Sequence, residues 1–160
     1  MDNNITPEIP AMSRITAREI AVLTIYAMDY EHDHDSLLNE RLDPAFYERL
    51  KGESKVFDVP PDAKQAEYIR RVADGVGLHL AELDGYIEKY SHGWRFARLP
   101  RVSVAILRVA MFEVLYMGDE VPNAAAINAA VELAKWYEDE EMPGYINGVL
   151  GTFVRTELQQ

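Results

Sequence analysis

The stretch from Pro100 to Met117, PRVSVAILRVAMFEVLYM, constrains this chain more than any other. Between Val102 and Leu115 only Ser103, Arg108 and Glu113 are polar, and the apolar residues fall on every side of a helical wheel. A helix with no face suited to water belongs in a protein interior. This one is too short and too charged to span a membrane. Pro100 suits a first helical turn, where a missing N–H costs little, and Gly118 suits a C-terminal stop. The other helices must then pack around it, which predicts an all-α domain built on a buried central helix at about 100–117. A buried charge has to be paired, so Arg108 is expected to form a structural ion pair with Glu113 or Glu132.

Composition sets the class. A chain of 160 residues is long enough for one domain with a substantial core. Its 16 Lys+Arg against 27 Asp+Glu give a formal charge of −11, and an apolar content of 48% marks it as folded rather than disordered. So acidic a chain is repelled by nucleic acid on average, and RNA contact has to come from a local patch or from a partner. Without cysteine there is no disulfide frame, thiolate nucleophile or cysteine-ligated metal. Residues 1–12 are polar and carry Pro7 and Pro10 with no apolar run, so a flexible tail and a cytoplasmic protein are expected. The four histidines are scattered, no nucleophile–base pair is suggested and no Gly-rich phosphate loop occurs. No enzyme and no cofactor are expected. His32 and His34 in the acidic stretch DYEHDHD could ligate a metal in principle, but two histidines in such a loop are expected to be solvated, with no metal site.

The folded domain is expected over 13–158, with about seven helices, no strands and no internal repeat. In SRITAREIAVLTIYAMDY, Ile15, Ile20, Leu23, Ala27 and Tyr30 recur at helical spacing and predict an amphipathic first helix. Its start is set either by Ser13 as N-cap or by a capping box of Thr16 with Glu19. Arg14 and Arg18 lie four apart and share a face on a helix that starts at Ser13. They read either as solvated surface arginines or as a small phosphate-facing patch. Two short helices follow, SLLNERL and DPAFYERLKG, the second with a cap-plus-proline start at Asp43 and Pro44 and a stop at Gly52. After a loop, Asp62 caps a long pattern with a break expected between Gly77 and Asp84, and His79 reads as a core or boundary residue. From Lys89 to Phe112 there is no acid, while Lys89, Arg95, Arg98, Arg101 and Arg108 alternate with His92, Trp94 and Phe96. That run is either a contact surface for an anionic partner or a set of bases paired with other helices. Two more helices close the chain, one opened by Pro122 with Ala126, Ala130 and Ala134 inward, and one near Pro143 burying Ile146, Val149, Leu150 and Phe153.

Four segments, SRITAREIAVLTIY (13–26), LPRVSVAILRVAMFEVLY (99–116), VPNAAAINAAVELAKWY (121–137) and YINGVLGTFV (145–154), together resemble the NusB family of bacterial transcription antitermination factors in order and spacing. The resemblance implies a compact fold of seven helices and no catalysis. It implies binding to the boxA element of nascent ribosomal RNA, as a heterodimer with NusE, a protein of the small ribosomal subunit. It further implies assembly with other Nus factors on RNA polymerase. The family's RNA contacts map onto Arg14, Thr16 and Arg18 at the start of the first helix, and onto Tyr26, Glu141 and Tyr145. Partner contacts map onto Arg101 and Val104. The resemblance also admits a homodimer, as in some members of the family. The apolar positions of the motifs are kept while the charges are thinned: Ile15, Thr16, Ala124, Ala129, Ser103, Val104, Gly151 and Thr152 stand where charged residues are common. A two-arginine patch neutralises few phosphates, so weak RNA binding by the chain alone and tight binding with a basic partner are expected. Two other readings are a helical scaffold for NusE whose RNA site has decayed, and the NusB-like domain of a ribosomal RNA cytosine methyltransferase. The latter would need a methyl-donor-binding domain that 160 residues are not expected to hold.

Overall fold

The computed structural model describes residues 11–158. They form eight α-helices: α1 (Arg14–Met28), α2 (His34–Leu42), α3 (Pro44–Leu50), α4 (Ala63–Leu78), α5 (Leu80–Tyr90), α6 (Arg101–Tyr116), α7 (Asn123–Tyr137) and α8 (Met142–Glu157). A single 3-10 turn, Phe96–Arg98, lies before α6, and no strand occurs among the described residues. The helix starts follow from local chemistry. Ser13 caps α1 by accepting the Thr16 N–H, so the Thr16–Glu19 capping box is not used. Asp33, Asp43 and Asp62 cap α2, α3 and α4 in the same way. Gly52, just past α3, has φ +84, the left-handed backbone that favours glycine.

The count is eight where about seven were expected, and the long 63–90 pattern splits at His79, within the expected interval. His79 leaves helical geometry, and its ring stacks on Tyr116 with centroids 4.2 Å apart. It is a boundary residue. The far end of the proposed tail lies outside the described residues, but Met12, assigned to it, is buried in the core. Asp33 also starts α2 two residues earlier than the SLLNERL reading.

Helix α6 is the central element. From Ser103 to Val114 every residue is buried, and α6 packs against α1, α4, α5, α7 and α8. Helices α2 and α3 form an outer layer, α2 against α1 and α4 and α3 against α2. The apolar face of α1 is shifted from the expected one. Ala17, Ile20, Ala21, Val22 and Ile25 are buried, whereas Ile15 and Tyr30 are 62% and 67% exposed. The shift arises because α1 is covered by α4 on one side and α6 on the other, which widens its buried arc.

Two charged groups sit inside this core. Glu113 is fully buried on α6 and accepts two hydrogen bonds from Arg18, at 2.8 and 2.9 Å, and one from the Tyr68 hydroxyl at 3.1 Å. Burial disfavours the Arg18 charge, but these carboxylate bonds outweigh that and raise its pKa. Burial first, and then the adjacent carboxylate, pushes the Tyr68 phenol up. Arg108 does not meet Glu113 or Glu132. Its guanidinium bonds both oxygens of Asp84 on α5, at 2.8 and 2.9 Å, and reaches Asp29 at the end of α1 at 3.1 Å. Five residues separate Arg108 from Glu113, about 140° around a helix, so the two point toward different neighbours.

Removing one partner of a buried pair strands the other's charge, which typically costs about 3–5 kcal/mol. Arg18→Ala is therefore expected to destabilise the fold by about that amount in urea unfolding, while Arg18→Met with Glu113→Gln recovers most of it. A loss below about 1 kcal/mol for Arg18→Ala would place the pair in a solvated setting. Glycines give a second check. A Cβ at Gly75 would lie 2.2 Å from the Phe112 ring, while one at Gly77 meets nothing within 4 Å. Gly75→Ala is expected to lower the urea midpoint by about 1–3 kcal/mol equivalent, and Gly77→Ala to raise it by about 0.5–1 kcal/mol through helix propensity.

Candidate nucleic-acid interface

The expected RNA residues fall into three separate places. At the start of α1, Arg14 is half-buried and donates from Nε to the Gln65 side-chain oxygen at 2.8 Å. Its guanidinium lies over the Tyr68 ring, 4.0 Å from the centroid, a cation–π arrangement. Both partners are neutral, so the side chain is oriented while its charge stays uncancelled. Arg18 differs. Although one turn away, it is committed to Glu113 with 11% of its side chain exposed. The pair read from spacing as one patch thus divides into a surface cation and a core cation. Thr16 is tied into the helix start, its hydroxyl bonded to Ser13.

Arg14 borders a groove of about 550 Å³ between the starts of α1 and α4 and the end of α6. Lys64 and Arg71 line it as well, with Glu67 and Glu120 on its acidic side. Arg71 pairs with Glu120 at 2.9 Å in an exposed bridge and donates to the Tyr116 carbonyl at 3.2 Å. Lys64 has no carboxylate within 4.0 Å among the described residues. Neither belongs to a basic run, yet Lys64, Tyr68 and Arg71 stand at i, i+4 and i+7 and share one face of α4. That spacing was the available signal.

Tyr26 lies twelve residues beyond Arg14, about 18 Å along the helix. It packs edge-on against Tyr30 with centroids 5.3 Å apart. The groove beside it is lined by Glu31, Asp33 and Glu40 against the single base Arg41, an unfavourable setting for a phosphate. Glu141 and Tyr145 sit at the start of α8, Glu141 exposed and Tyr145 half-buried, with the Tyr145 ring 6.1 Å from that of Trp94. Burial raises the Tyr145 phenol pKa.

The basic run from 89 to 112 also divides. Lys89 pairs with Glu157, Arg101 with Asp29 and Arg108 with Asp84 and Asp29. Arg95 and Arg98 remain exposed beside Trp94, with no carboxylate in pairing distance among the described residues. Arg101 also lies over the Phe96 ring. Val104 is fully buried within the run of α6 that is enclosed on all sides, so its side chain offers no partner contact. A further groove of about 370 Å³ between α1 and α7 is largely apolar, bordered by Ile15, Ala129 and Trp136. His34 is bonded to the Met28 carbonyl, and no group of three or more potential ligand residues is arranged for a metal among the described residues. No described helix is long and apolar enough to cross a membrane.

Comparison with known proteins agrees with this architecture. The Acetivibrio thermocellus transcription antitermination protein NusB is 37% identical over 147 residues, covering 92% of each chain. The protein of the same name from Thermoanaerobacter sp. (strain X514) is 39% identical over 147 residues, covering 91% of this chain and 93% of the relative. Among solved structures, T. maritima NusB superposes with a TM-score of 0.76 at 25% identity, covering 92% of this chain and 94% of the other. A crystal structure of antitermination factors NusB and NusE in complex with dsRNA matches with a TM-score of 0.69 at 26% identity, over 89% of this chain and 96% of that one. The model of the NusB family matches residues 15–155, and with these relatives it shows that the chain belongs to the NusB family.

Proposed function

We propose that this chain is a non-catalytic, cytoplasmic RNA-binding factor in transcription antitermination, acting on boxA-type single-stranded RNA together with NusE within an RNA polymerase antitermination complex. Family membership supports the general role, and a similar chain has been crystallised with NusE and dsRNA. The observation that carries the reading at residue level is Arg14. In a chain of net charge −11, it is a positioned guanidinium held by two neutral side chains at the start of α1. A phosphate oxygen is the natural acceptor for its remaining N–H groups. Ser13 and Thr16 flank it, and Tyr145, with Trp94 beside it, offers an aromatic face of the kind on which unpaired bases stack. Glu141 at the same helix start provides an acceptor for base-edge donors. Arg101 and the exposed Arg95 and Arg98 are assigned to partner or RNA contact on the side of the 91–99 loop.

With Arg18 neutralised, the chain alone neutralises few phosphates, so NusE supplies the rest of the positive surface. The competing reading is a scaffold that binds NusE and has lost RNA; the commitment of Arg18 to Glu113 is what favours it.

Fluorescence anisotropy with a boxA-type RNA decides between them. Binding is expected to be weak for the chain alone and at least tenfold tighter with NusE, a gain of about 1.4 kcal/mol. Equal affinities in the two conditions would defeat the cooperative reading. Arg14→Ala is expected to lower RNA affinity of the NusE complex at a stability cost of only about 1–2 kcal/mol in urea unfolding, from the lost Gln65 and Tyr68 contacts. RNA binding untouched by Arg14→Ala, with the NusE complex intact, favours the scaffold.

A further inference from the structure

We infer that the groove on α4 formed by Lys64, Tyr68 and Arg71 is a second phosphate-binding track, continuous with Arg14, that replaces charge the first helix lacks. This inference rests on the RNA-binding reading above and names residues that the family resemblance did not assign. Three observations carry it. The first is availability. Arg18 is spent on Glu113, whereas Arg14 has only neutral partners and Lys64 no carboxylate within 4.0 Å among the described residues. The second is lability. The Arg71–Glu120 bridge joins side chains that are 43% and 56% exposed, and such surface pairs are held weakly enough for a phosphate to compete. The third is arrangement. Lys64 and Arg71 stand two helical turns apart, about 10.5 Å along α4, with the Tyr68 ring between them and Arg14 above it. Two or three successive phosphates of an extended strand can therefore be met from one face. Three bases against Glu67 and Glu120 reverse the excess of acid found over the chain as a whole.

The ligand class is the backbone of single-stranded RNA. Contacts of this kind position the strand and do not read its sequence. Each phosphate neutralised on a single strand contributes about 0.7 to the slope of log K against log salt, or about fivefold in affinity at 0.1 M relative to 1 M.

The test titrates a boxA-type RNA into the complex of the full chain with NusE over a salt series, comparing the parent with Lys64→Ala/Arg71→Ala. A control of equal charge change, Lys89→Ala/Lys135→Ala, removes two bases that lie outside the groove. The expected result is a loss of about 25-fold at 0.1 M salt and a slope smaller by about 1.4 for the groove variant, with the control near the parent. An unchanged slope, or an equal loss in the control, overturns the inference. So does a groove variant that no longer binds NusE in a pull-down without RNA, since that assigns the groove to protein. If the parent complex itself fails to bind the RNA, the function proposed above fails first. Binding by the parent with no effect in the groove variant sinks the second track alone.

Discussion

One buried carboxylate aligns α1 and α4 on the central helix. Glu113 sits at zero exposure in the last turn of a helix that is otherwise almost wholly apolar, and it is tolerable there because Arg18 and Tyr68 reach it from two other helices. Apolar residues of similar volume would pack α6 as well or better. What the pair adds is register: α1 and α4 can close on α6 only where the guanidinium and the phenol meet the carboxylate. The same Tyr68 that donates to Glu113 from its hydroxyl carries Arg14 on its ring. An interior hydrogen bond thereby sets the position of an exterior cation, and the proposed RNA surface inherits its geometry from the core.

A second ionic cluster fixes the opposite end of α1. Asp29, its C-terminal cap residue, accepts from Arg101 at the start of α6 and from Arg108 in its middle. Helix α1 is thus tied to α6 near each of its ends, by Arg18 and by Asp29, with the apolar face from Ile20 to Ile25 between them. This division removes two of the chain's arginines from contact with a ligand. Arg18 and Arg108 serve packing, and Arg101 and Arg71 are half committed. Arg14 alone among those at the start of α1 is both oriented and electrically free.

Much of the architecture was legible in the sequence, and the reason is periodicity. An all-round apolar stretch could only be a central helix, and the caps at Ser13, Asp43 and Asp62 are local signals whose partners lie two or three residues away. Ionic partners were not legible in the same way. Arg108 meets Asp84 and Asp29, 24 and 79 residues away in sequence, and nothing in the pattern of α6 distinguishes those acids from Glu113 or Glu132. Spacing places Arg14 and Arg18 on one face but does not encode depth, so it cannot show that only Arg18 reaches a buried carboxylate. Ile15 and Tyr30 looked inward for the same reason: a three-to-five repeat locates a stripe but not which neighbour covers it. The split at His79 was bounded by the glycines before it, though its stacking on Tyr116 needed the third dimension.

In the proposed RNA site, how an acidic chain presents a surface to a polyanion comes down to Gln65. At 0.1 M salt the Debye length is about 10 Å, so an approaching phosphate feels the charges lining a groove far more than the sum over the molecule. The sign of that local set decides the outcome. A carboxylate in place of the Gln65 amide would hold Arg14 more tightly, since bonds to ionised acceptors are roughly twice as strong as neutral ones. It would also cancel the charge it held. The amide, buried to 6% exposure and accepting at 2.8 Å, orients the guanidinium without neutralising it. In the core the opposite choice was made: Arg18, one turn along, has the carboxylate. The two arginines are chemically identical and share a helical face, and the charge of the acceptor is what makes one of them structure and the other surface.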